Sequence, residues 1–349
     1  MSSVVPHHQS VHHRRAAIAS LSVIEGPEVV SSASIEERLR PVSQRFSLVP
    51  GLLLELTGIE RRRFFAPGTV PSDVAAVAGR KAVAEAGLLL SDIDLLISAS
   101  VSQDHVEPST AAAVHGKLGL SSSTLNFDIK NACLGFLTAM DIAASLIDLG
   151  RIGTALIVAG EVSRDIVDAT IERLLQPTST LQMYRSQFVS LTLGSAACAV
   201  VLTRDDAGLS SCHRLIRSFN VAAGEHHGLC IGEMHEMTVD ARALTLAGLI
   251  LGQQGVEAAK RAFAMSAFDY AAYVMHQTSK PHLEKFCDLI DVDAARFERT
   301  YPDFGNVGSC GVPLTLHKAV EHGRIQPGQR VPLLGVGSGL NAALLEIEW

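Results

Sequence analysis

The residue with the clearest potential for chemistry is Cys133, in the stretch Asn131-Ala132-Cys133-Leu134-Gly135-Phe136. A strand-like run over residues 125–129 ends just before it, and an apolar helix-like run continues to about residue 149. The first turn of a helix offers unpaired N–H groups and a positive dipole end, which favour the thiolate and lower the pKa of a cysteine there. We therefore interpret Cys133 as a nucleophile; the alternative is a small buried hydrophobic residue.

An internal repeat indicates which elements position this cysteine. The separation from Asp94 to Asn131 equals that from Asp269 to Asn306, 37 residues in each case. The matching apolar strands are residues 95–99 and 271–275 before the asparagines, and 155–160 and 331–335 after the helices that follow them. Two such βαβαβ halves packed face to face predict a five-layer α/β/α/β/α fold, with the active site where the two asparagine-led helices converge.

The repeat supplies partners for Cys133. His276 ends the central strand of the second copy, and Asn306 opens the helix that corresponds to the Cys133 helix. A thiolate can take an acyl group as a thioester, and two side-chain donors can hold the oxygen that becomes negative when a second acyl group forms an enolate. The backbone N–H groups of Gly337-Ser338-Gly339 could form another oxyanion hole with the N–H of Cys133. A lone histidine after a buried strand can also be structural.

Composition excludes several classes of function. The net charge of −7 over 349 residues argues against nucleic acid or an anionic membrane surface as a partner. Apolar runs are far shorter than the roughly 20 residues of a membrane span. The six cysteines lie far apart without C-x-x-C spacing, so we expect reduced thiols, no metal site and a cytoplasmic protein.

The chain divides into three predicted parts. Residues 1–15, with histidines at positions 7, 8, 12 and 13, are expected to be a disordered tail, although a metal role for the histidines is conceivable. Residues 16–207 form the N-terminal half, which carries the cysteine, and residues 208–349 form the C-terminal half, which carries the histidine and asparagine. An apolar helical insertion at about 164–190 either lines channels for two alkyl chains or is a cap that packs on the core or across the dimer.

Two segments are candidates for substrate binding. In the insertion, Phe188 and Met183 are apolar, and methionine adapts to irregular ligands. The basic segment Arg61-Arg62-Arg63 could contact a phosphate-bearing handle such as coenzyme A or a carrier arm. The alternative is that this segment is a solvated turn.

Taken together, the motifs around Cys133, Met275-His276-Gln277, Gly305-Asn306-Val307-Gly308 and Gly335–Gly339 resemble the thiolase superfamily, specifically its ketoacyl synthase III branch. The resemblance covers nearly the whole chain from about residue 16. It implies a tight homodimer, an acyl-enzyme on Cys133, and His276 and Asn306 as oxyanion donors. No separate cofactor is expected, since coenzyme A or phosphopantetheine arrives as part of the substrate.

Glu107 narrows the resemblance. It precedes Pro108-Ser109, where ordinary ketoacyl synthase III enzymes typically have an aromatic residue, and its segment resembles OleA-type enzymes, which join two long-chain acyl-CoAs head to head in bacterial olefin biosynthesis. This implies that Glu107 enters the neighbouring subunit's site as a base. When no CO2 leaves, something must remove the α-proton of the second acyl chain. Without the resemblance, a loop glutamate is usually a solvated surface charge.

The function predicted from these features is a non-decarboxylative Claisen condensation of two acyl thioesters to a 2-alkyl-3-ketoacyl thioester, through an acyl-Cys133 intermediate. Thr278-Ser279 and Val307-Gly308 differ from the common synthase III residues and fit the OleA-like subgroup, but they leave the acyl donor open. Related enzymes join carrier-bound β-ketoacyl chains to α-pyrones with the same residues. A non-condensing acyltransferase and an inactive homologue are further alternatives.

Overall fold

The computed structural model describes residues 10–208 and 212–349. The strands are β1 (Ser10–His12), β2 (Ala16–Glu25), β3 (Glu28–Ser31), β4 (Arg61–Phe64), β5 (Leu95–Ser98), β6 (Leu125–Asp128), β7 (Thr154–Glu161), β8 (Ala196–Arg204), β9 (His213–Ala222), β10 (Cys230–Gly232), β11 (Met237–Val239), β12 (Val274–Met275), β13 (Arg330–Gly337) and β14 (Asn341–Glu348). The α-helices are α1 (Ser32–Arg38), α2 (Arg40–Phe46), α3 (Leu52–Thr57), α4 (Pro71–Glu85), α5 (Thr110–Leu118), α6 (Gly135–Asp148), α7 (Arg164–Leu175), α8 (Leu181–Gln187), α9 (Ala241–Ala262), α10 (Lys280–Ile290), α11 (Tyr301–Phe304) and α12 (Gly311–Glu321). Short 3-10 helices cover Leu90–Asp92, Ala132–Leu134, Phe188–Thr192, Gly224–Leu229, Ala294–Arg296 and Gly308–Cys310.

The strand order reflects the internal repeat. The main sheet runs β12-β13-β14-β9-β2-β8-β7-β5-β6, with β1 paired to β9. In one half, β5 pairs in parallel with β7, and β7 pairs antiparallel with β8. In the other half, β12 pairs in parallel with β13, and β13 pairs antiparallel with β14. The two halves meet at a short β2–β9 pairing. The predicted duplication is therefore confirmed, although the strand expected over 271–275 is only Val274–Met275.

The five layers follow from which faces are apolar. Helices α6 and α12 share one core with the inner faces of both halves, and this core includes Phe136, Met140 and Leu314. Helices α4 and α5 cover the outer face of the β5–β8 half, and α9 and α10 cover the outer face of the β12–β14 half. The predicted α/β/α/β/α arrangement is confirmed. It brings the N-termini of α6 and α12 to the same place in the middle of the molecule.

The N-terminal prediction was wrong in part. Residues 1–9 of the expected tail lie outside the described residues, but Ser10–His12 form β1 and pair with β9. His13 is buried, and its ring nitrogens bond to Asp141 (3.0 Å) and Asp148 (3.3 Å) on α6. This segment is ordered because it binds two carboxylates on the helix that follows the nucleophile. The predicted division at 207/208 adjoins residues 209–211, which are also outside the described part, and it stays a prediction.

Asp141 links this N-terminal segment to stability. Its carboxylate accepts hydrogen bonds from His13, from the Ser218 hydroxyl (2.6 Å) and from the Asn220 amide (3.1 Å). Burial alone would raise the pKa of Asp141, but these bonds hold it below its ordinary value. A lowered folded-state pKa means that the stabilisation is present above the unfolded value of about 3.9 and disappears as the pH falls through the folded value.

Asp141→Asn should therefore lower the free energy of unfolding by about 1 to 3 kcal/mol at pH 7, because the amide cannot accept all three bonds. Urea unfolding at pH 7 and at pH 3 tests this, and the gap between variant and wild type should narrow at the lower pH. Asp206→Asn is the control, since Asp206 makes an exposed pair with Arg204. Equal midpoints for wild type and Asp141→Asn at pH 7 would contradict the prediction.

Among the described residues, none of the helices is long and apolar enough to cross a membrane. The same part of the chain holds no group of three or more His, Cys, Asp or Glu side chains that could bind a metal ion.

Candidate active site

Cys133 lies in the 3-10 turn that connects β6 to α6. The preceding Ala132 has a positive φ of 46°, a conformation that is uncommon for a residue with a side chain. Side chains fix this turn: the Asn131 amide donates to Thr138 (2.9 Å) and accepts from Asn341 on β14 (2.9 Å). The backbone N–H of Phe136 donates to the Ser309 hydroxyl (3.0 Å). The nucleophile turn is therefore held by residues from both halves of the fold.

The expected lowering of the thiol pKa is wrong. Desolvation of the half-buried Cys133, together with the neighbouring Glu161 and Cys230, raises the pKa of its thiol to about 12. A desolvated thiolate loses hydration, and a nearby carboxylate repels it. Both effects raise the pKa and oppose the lowering expected from the helix N-terminus. The resting form of Cys133 is the thiol, and its proton must leave during acylation.

His276 comes directly after β12 and is 1% exposed. Burial lowers the pKa of its imidazole to about 3, with a further contribution from the neighbouring His282. Within the described chain, neither ring nitrogen has a hydrogen-bond partner. Gly311, the first residue of α12, packs against the ring so closely that a side chain there would overlap Nδ1. The result is a neutral imidazole with a free N–H, which suits a hydrogen-bond donor to an oxyanion.

Asn306 lies in the turn before α12 and is 7% exposed. Its side-chain oxygen accepts from the N–H of Gly308 (3.0 Å), which leaves the NH2 group as the donor for a ligand. Its backbone bonds to Thr192 and Gly194, with N–O distances of 2.9 Å each. Gly305 has a φ of 66°, and a Cβ there would overlap the Thr192 carbonyl oxygen, so this turn requires glycine.

The glycine-rich strand end packs against the nucleophile turn. A Cβ at Gly337 would lie 3.1 Å from the Asn131 carbonyl oxygen, so only glycine allows this approach without a shift. Gly337 and Ser338 line the same cavity as Cys133, whereas Gly339 is not among the lining residues. The predicted backbone site is therefore limited to Gly337 and Ser338.

Cys133, His276 and Asn306 line one cavity of about 1080 Å³, the size of a site for a large ligand. Its apolar walls come from the insertion, the β10–β11 hairpin and α9. The apolar lining residues from these elements are Ile166, Phe188, Val189, Met237, Val239 and Leu244. The structure thus brings together the three side chains that the repeat predicted.

One part of the insertion lines the cavity and another part packs in the core, and its role in binding two alkyl chains stays a prediction. Phe188 lines the cavity as predicted. Met183 does not; it packs in a separate core with α1–α3, together with Val167, Ile171 and Leu174. The prediction for Met183 was wrong because α8 directs that side of the insertion toward the N-terminal helices.

The predicted substrate-binding role of the basic segment is wrong for Arg62, which is buried, and stays a prediction for Arg61 and Arg63. Arg61 forms an exposed ion pair with Asp303, and Arg63 pairs with Glu25 (3.2 Å). Arg62 is completely buried and donates to the Ser32 hydroxyl (3.2 Å). None of the three lines the cavity. The β3–β4 hairpin places each arginine next to its partner, and the sequence alone did not predict this hairpin.

Glu107 is exposed on the loop between β5 and α5, and it does not line the cavity of its own chain. The adjacent Val106 does reach the cavity rim, although it is 87% exposed. Within one chain, the structure therefore places Glu107 outside the group formed by Cys133, His276 and Asn306.

Sequence reasoning missed Glu161, a buried carboxylate that lines the cavity at the end of β7. The available signal was a glutamate directly after the apolar run 155–160, because a charge that continues a buried strand needs specific partners.

Comparisons with known proteins agree with this geometry. Residues 127–214 match the family 3-Oxoacyl-[acyl-carrier-protein (ACP)] synthase III, and residues 261–349 match its C-terminal family. An acyl-CoA:acyl-CoA alkyltransferase from Xanthomonas campestris is 37% identical over 336 residues, covering 96% of this chain and 99% of the relative. One from Shewanella oneidensis is 34% identical over 350 residues, covering 97% and 99%.

Solved structures of Xanthomonas campestris OleA superpose closely. The cerulenin-bound protein matches with a TM-score of 0.94 at 36% identity, over 99% of both chains. A variant with bound lauric acid and lauroyl-CoA matches with a TM-score of 0.93, also at 36% identity, over 97% of this chain and 100% of the other. Fold and site thus define an acyl-condensing transferase with a thiolase fold. The chain belongs to the OleA-type, ketoacyl synthase III-like family of acyl-CoA:acyl-CoA alkyltransferases.

Proposed function

We propose that this enzyme joins two acyl-CoA molecules by Claisen condensation without decarboxylation, giving a 2-alkyl-3-ketoacyl-CoA. The observation that carries the proposal is the convergence of Cys133, His276 and Asn306 on one large, largely apolar cavity. The Xanthomonas relative is named for alkyl transfer between two acyl-CoAs, and its variant structure binds lauroyl-CoA. The substrate then brings its own coenzyme A, and no separate cofactor takes part.

In the first half-reaction, the Cys133 sulfur attacks the thioester carbon of the first acyl-CoA. The oxygen that becomes negative is held by the backbone N–H groups of Cys133 and Ser338. Collapse of the tetrahedral intermediate breaks the bond to the coenzyme A sulfur, and coenzyme A leaves as a thiol with the proton that Cys133 gives up. The product is an acyl-enzyme.

In the second half-reaction, a carboxylate removes the α-proton of the second acyl-CoA. The enolate oxygen is stabilised by the N–H of His276 and the NH2 group of Asn306. The α-carbon then attacks the acyl-enzyme carbonyl, and the bond to Cys133 breaks. The proton taken by the base balances the proton that Cys133 regains as a thiol.

We infer that the base is Glu107 of a second subunit, in a homodimer. Two observations support this. Glu107 is exposed next to Val106 at the cavity rim. Of the carboxylates that line the cavity of one described chain, Asp104 and Glu161 are already held by hydrogen-bond donors, which leaves Asp165 on the insertion and Glu233 on the β10–β11 hairpin as alternatives. The proposal places the enzyme in the cytoplasm, where reducing conditions keep Cys133 as a thiol.

Incubation with myristoyl-CoA, followed by mass spectrometry of protein and products, tests the proposed reaction. We expect one acyl group on Cys133. We also expect a ketone that contains all the carbons of two 14-carbon chains except one, because the β-ketoacyl product hydrolyses spontaneously and then loses CO2. The same acyl chain on a carrier protein is the comparison. Faster condensation from the carrier protein would reject coenzyme A as the donor, and an adduct without any condensation product would favour a simple acyltransferase.

A further inference from the structure

A buried carboxylate connects the elements of the active site. Glu161 is 4% exposed at the end of β7. One of its oxygens accepts from the backbone N–H groups of Val101 (2.8 Å) and Ser309 (3.2 Å). The other accepts from the backbone N–H of Ser102 (3.1 Å) and from the Ser102 hydroxyl (2.9 Å). All four partners are donors, so the ionised carboxylate fits this environment.

The first of these elements is the loop that carries Glu107. Val101 and Ser102 lie near the start of the loop after β5, and Asp104 anchors this loop a second time by accepting from the backbone N–H of Ser72 (2.9 Å). The three residues that follow, 105–107, are exposed. The hydrogen bonds at residues 101, 102 and 104 therefore set the direction in which the loop carrying Glu107 projects from the protein.

The other two elements are the turns that carry Asn306 and Cys133. Gly308 packs against the Glu161 carboxylate, where a Cβ would lie 3.0 Å from Cδ. Ser309, whose N–H donates to Glu161, uses its hydroxyl to accept from the N–H of Phe136 in the Cys133 helix. One carboxylate thus connects the Glu107 loop directly to the Asn306 turn and, through Ser309, to the Cys133 turn.

We propose that Glu161 is a positioning residue for condensation: it fixes the loop bearing Glu107 relative to the Cys133 and Asn306 turns. The inference rests on the proposed function. In this role, Glu161 neither contacts the reacting atoms nor transfers a proton. The proposal also requires that acylation of Cys133, which does not use Glu107, depends much less on Glu161 than condensation does.

The charge of Glu161 has a second consequence. Burial raises the pKa of this carboxyl, and the N–H donors of Val101 and Ser102 oppose that rise. The ionised carboxylate lines the same cavity as the Cys133 thiol and disfavours its thiolate. Removing this charge while keeping the shape of the side chain, and with it the burial of the thiol, should shift the pH dependence of Cys133 alkylation to lower pH.

Glu161→Gln in the full-length protein tests the proposal, because it removes the charge and turns one acceptor into a donor while keeping the shape. We expect acyl-adduct formation with myristoyl-CoA within about threefold of wild type and condensation slower by about 10- to 100-fold. The rate of Cys133 alkylation by iodoacetamide is followed from pH 7 to 10 by mass spectrometry of the Cys133 peptide. It should rise at lower pH than in wild type.

Glu346→Gln is the matched control. Glu346 is also buried but bonds to Arg217 and Arg330, and it does not line the cavity. It should leave the ratio of condensation to acylation and the alkylation profile unchanged. If Glu161→Gln does not fold, Ser102→Ala removes one donor to Glu161 and should slow condensation by about two- to fivefold with acylation retained.

The proposal is overturned if Glu161→Gln condenses at the wild-type rate, loses acylation and condensation equally, or leaves the alkylation profile unshifted. A failure of the proposed function is distinguishable from these results, since wild type would then form no condensation product. The alkylation profile would still report whether the Glu161 charge acts on Cys133.

Discussion

Cys133→Ala is expected to abolish the acyl adduct and to slow condensation by at least about 10³-fold. In the proposed mechanism the Cys133 sulfur forms the covalent bond to the first acyl group, and an alanine at this position offers no nucleophile. The loss should appear in both intact mass after myristoyl-CoA treatment and ketone formation. Thermal unfolding should change little, because Cys133 is only partly buried and its turn is held by neighbouring side chains.

Cys230→Ala provides the control for this result. Cys230 lines the same cavity, and its thiol is hydrogen-bonded to Ser338. This variant should keep the adduct on Cys133 and a measurable rate of condensation. An adduct that persists in Cys133→Ala but disappears in Cys230→Ala would assign the nucleophile to Cys230 and contradict the proposed mechanism.

The part of the site that could be predicted from sequence depends on the backbone repeat. The equal separation of Asp94 from Asn131 and of Asp269 from Asn306 reflects two copies of a strand, a helix and a turn with the same geometry. Because the copies pack face to face, residues at equivalent turns converge. This is why His276 and Asn306 could be placed beside Cys133 without any knowledge of side-chain contacts.

The properties that could not be predicted depend on burial and on distant partners. The pKa of Cys133 is raised because the turn is enclosed and Glu161 lies near it, whereas the sequence shows only that a helix begins there. Arg62 is buried within β4 of the β3–β4 hairpin, although its local sequence is strongly basic and typical of a surface. Local patterns report the backbone well, but the surroundings of a charge are set by residues far away in the chain.

Glu107→Ala should retain the acyl adduct on Cys133 but slow condensation by about 10²- to 10⁴-fold, the contribution of a general base. Acylation needs no α-proton transfer, and Glu107 is exposed outside the cavity of its own chain, so the variant should also fold normally. Adduct mass and ketone formation are measured in the same samples. Undiminished condensation would reject Glu107 as the base and point to another carboxylate at the cavity, such as Glu233.

A mixed dimer determines which subunit supplies Glu107. Cys133→Ala and Glu107→Ala chains with different affinity tags are co-expressed, and the dimer containing one of each is isolated. If Glu107 acts across the interface, the site with the intact cysteine receives an intact glutamate from its partner, and about half of wild-type activity per dimer returns. If Glu107 acts within its own chain, neither site is complete and the mixed dimer is as inactive as each parent variant. Recovery of activity therefore requires both the homodimer and the exchange of Glu107, because neither variant contains a complete site when it pairs with itself.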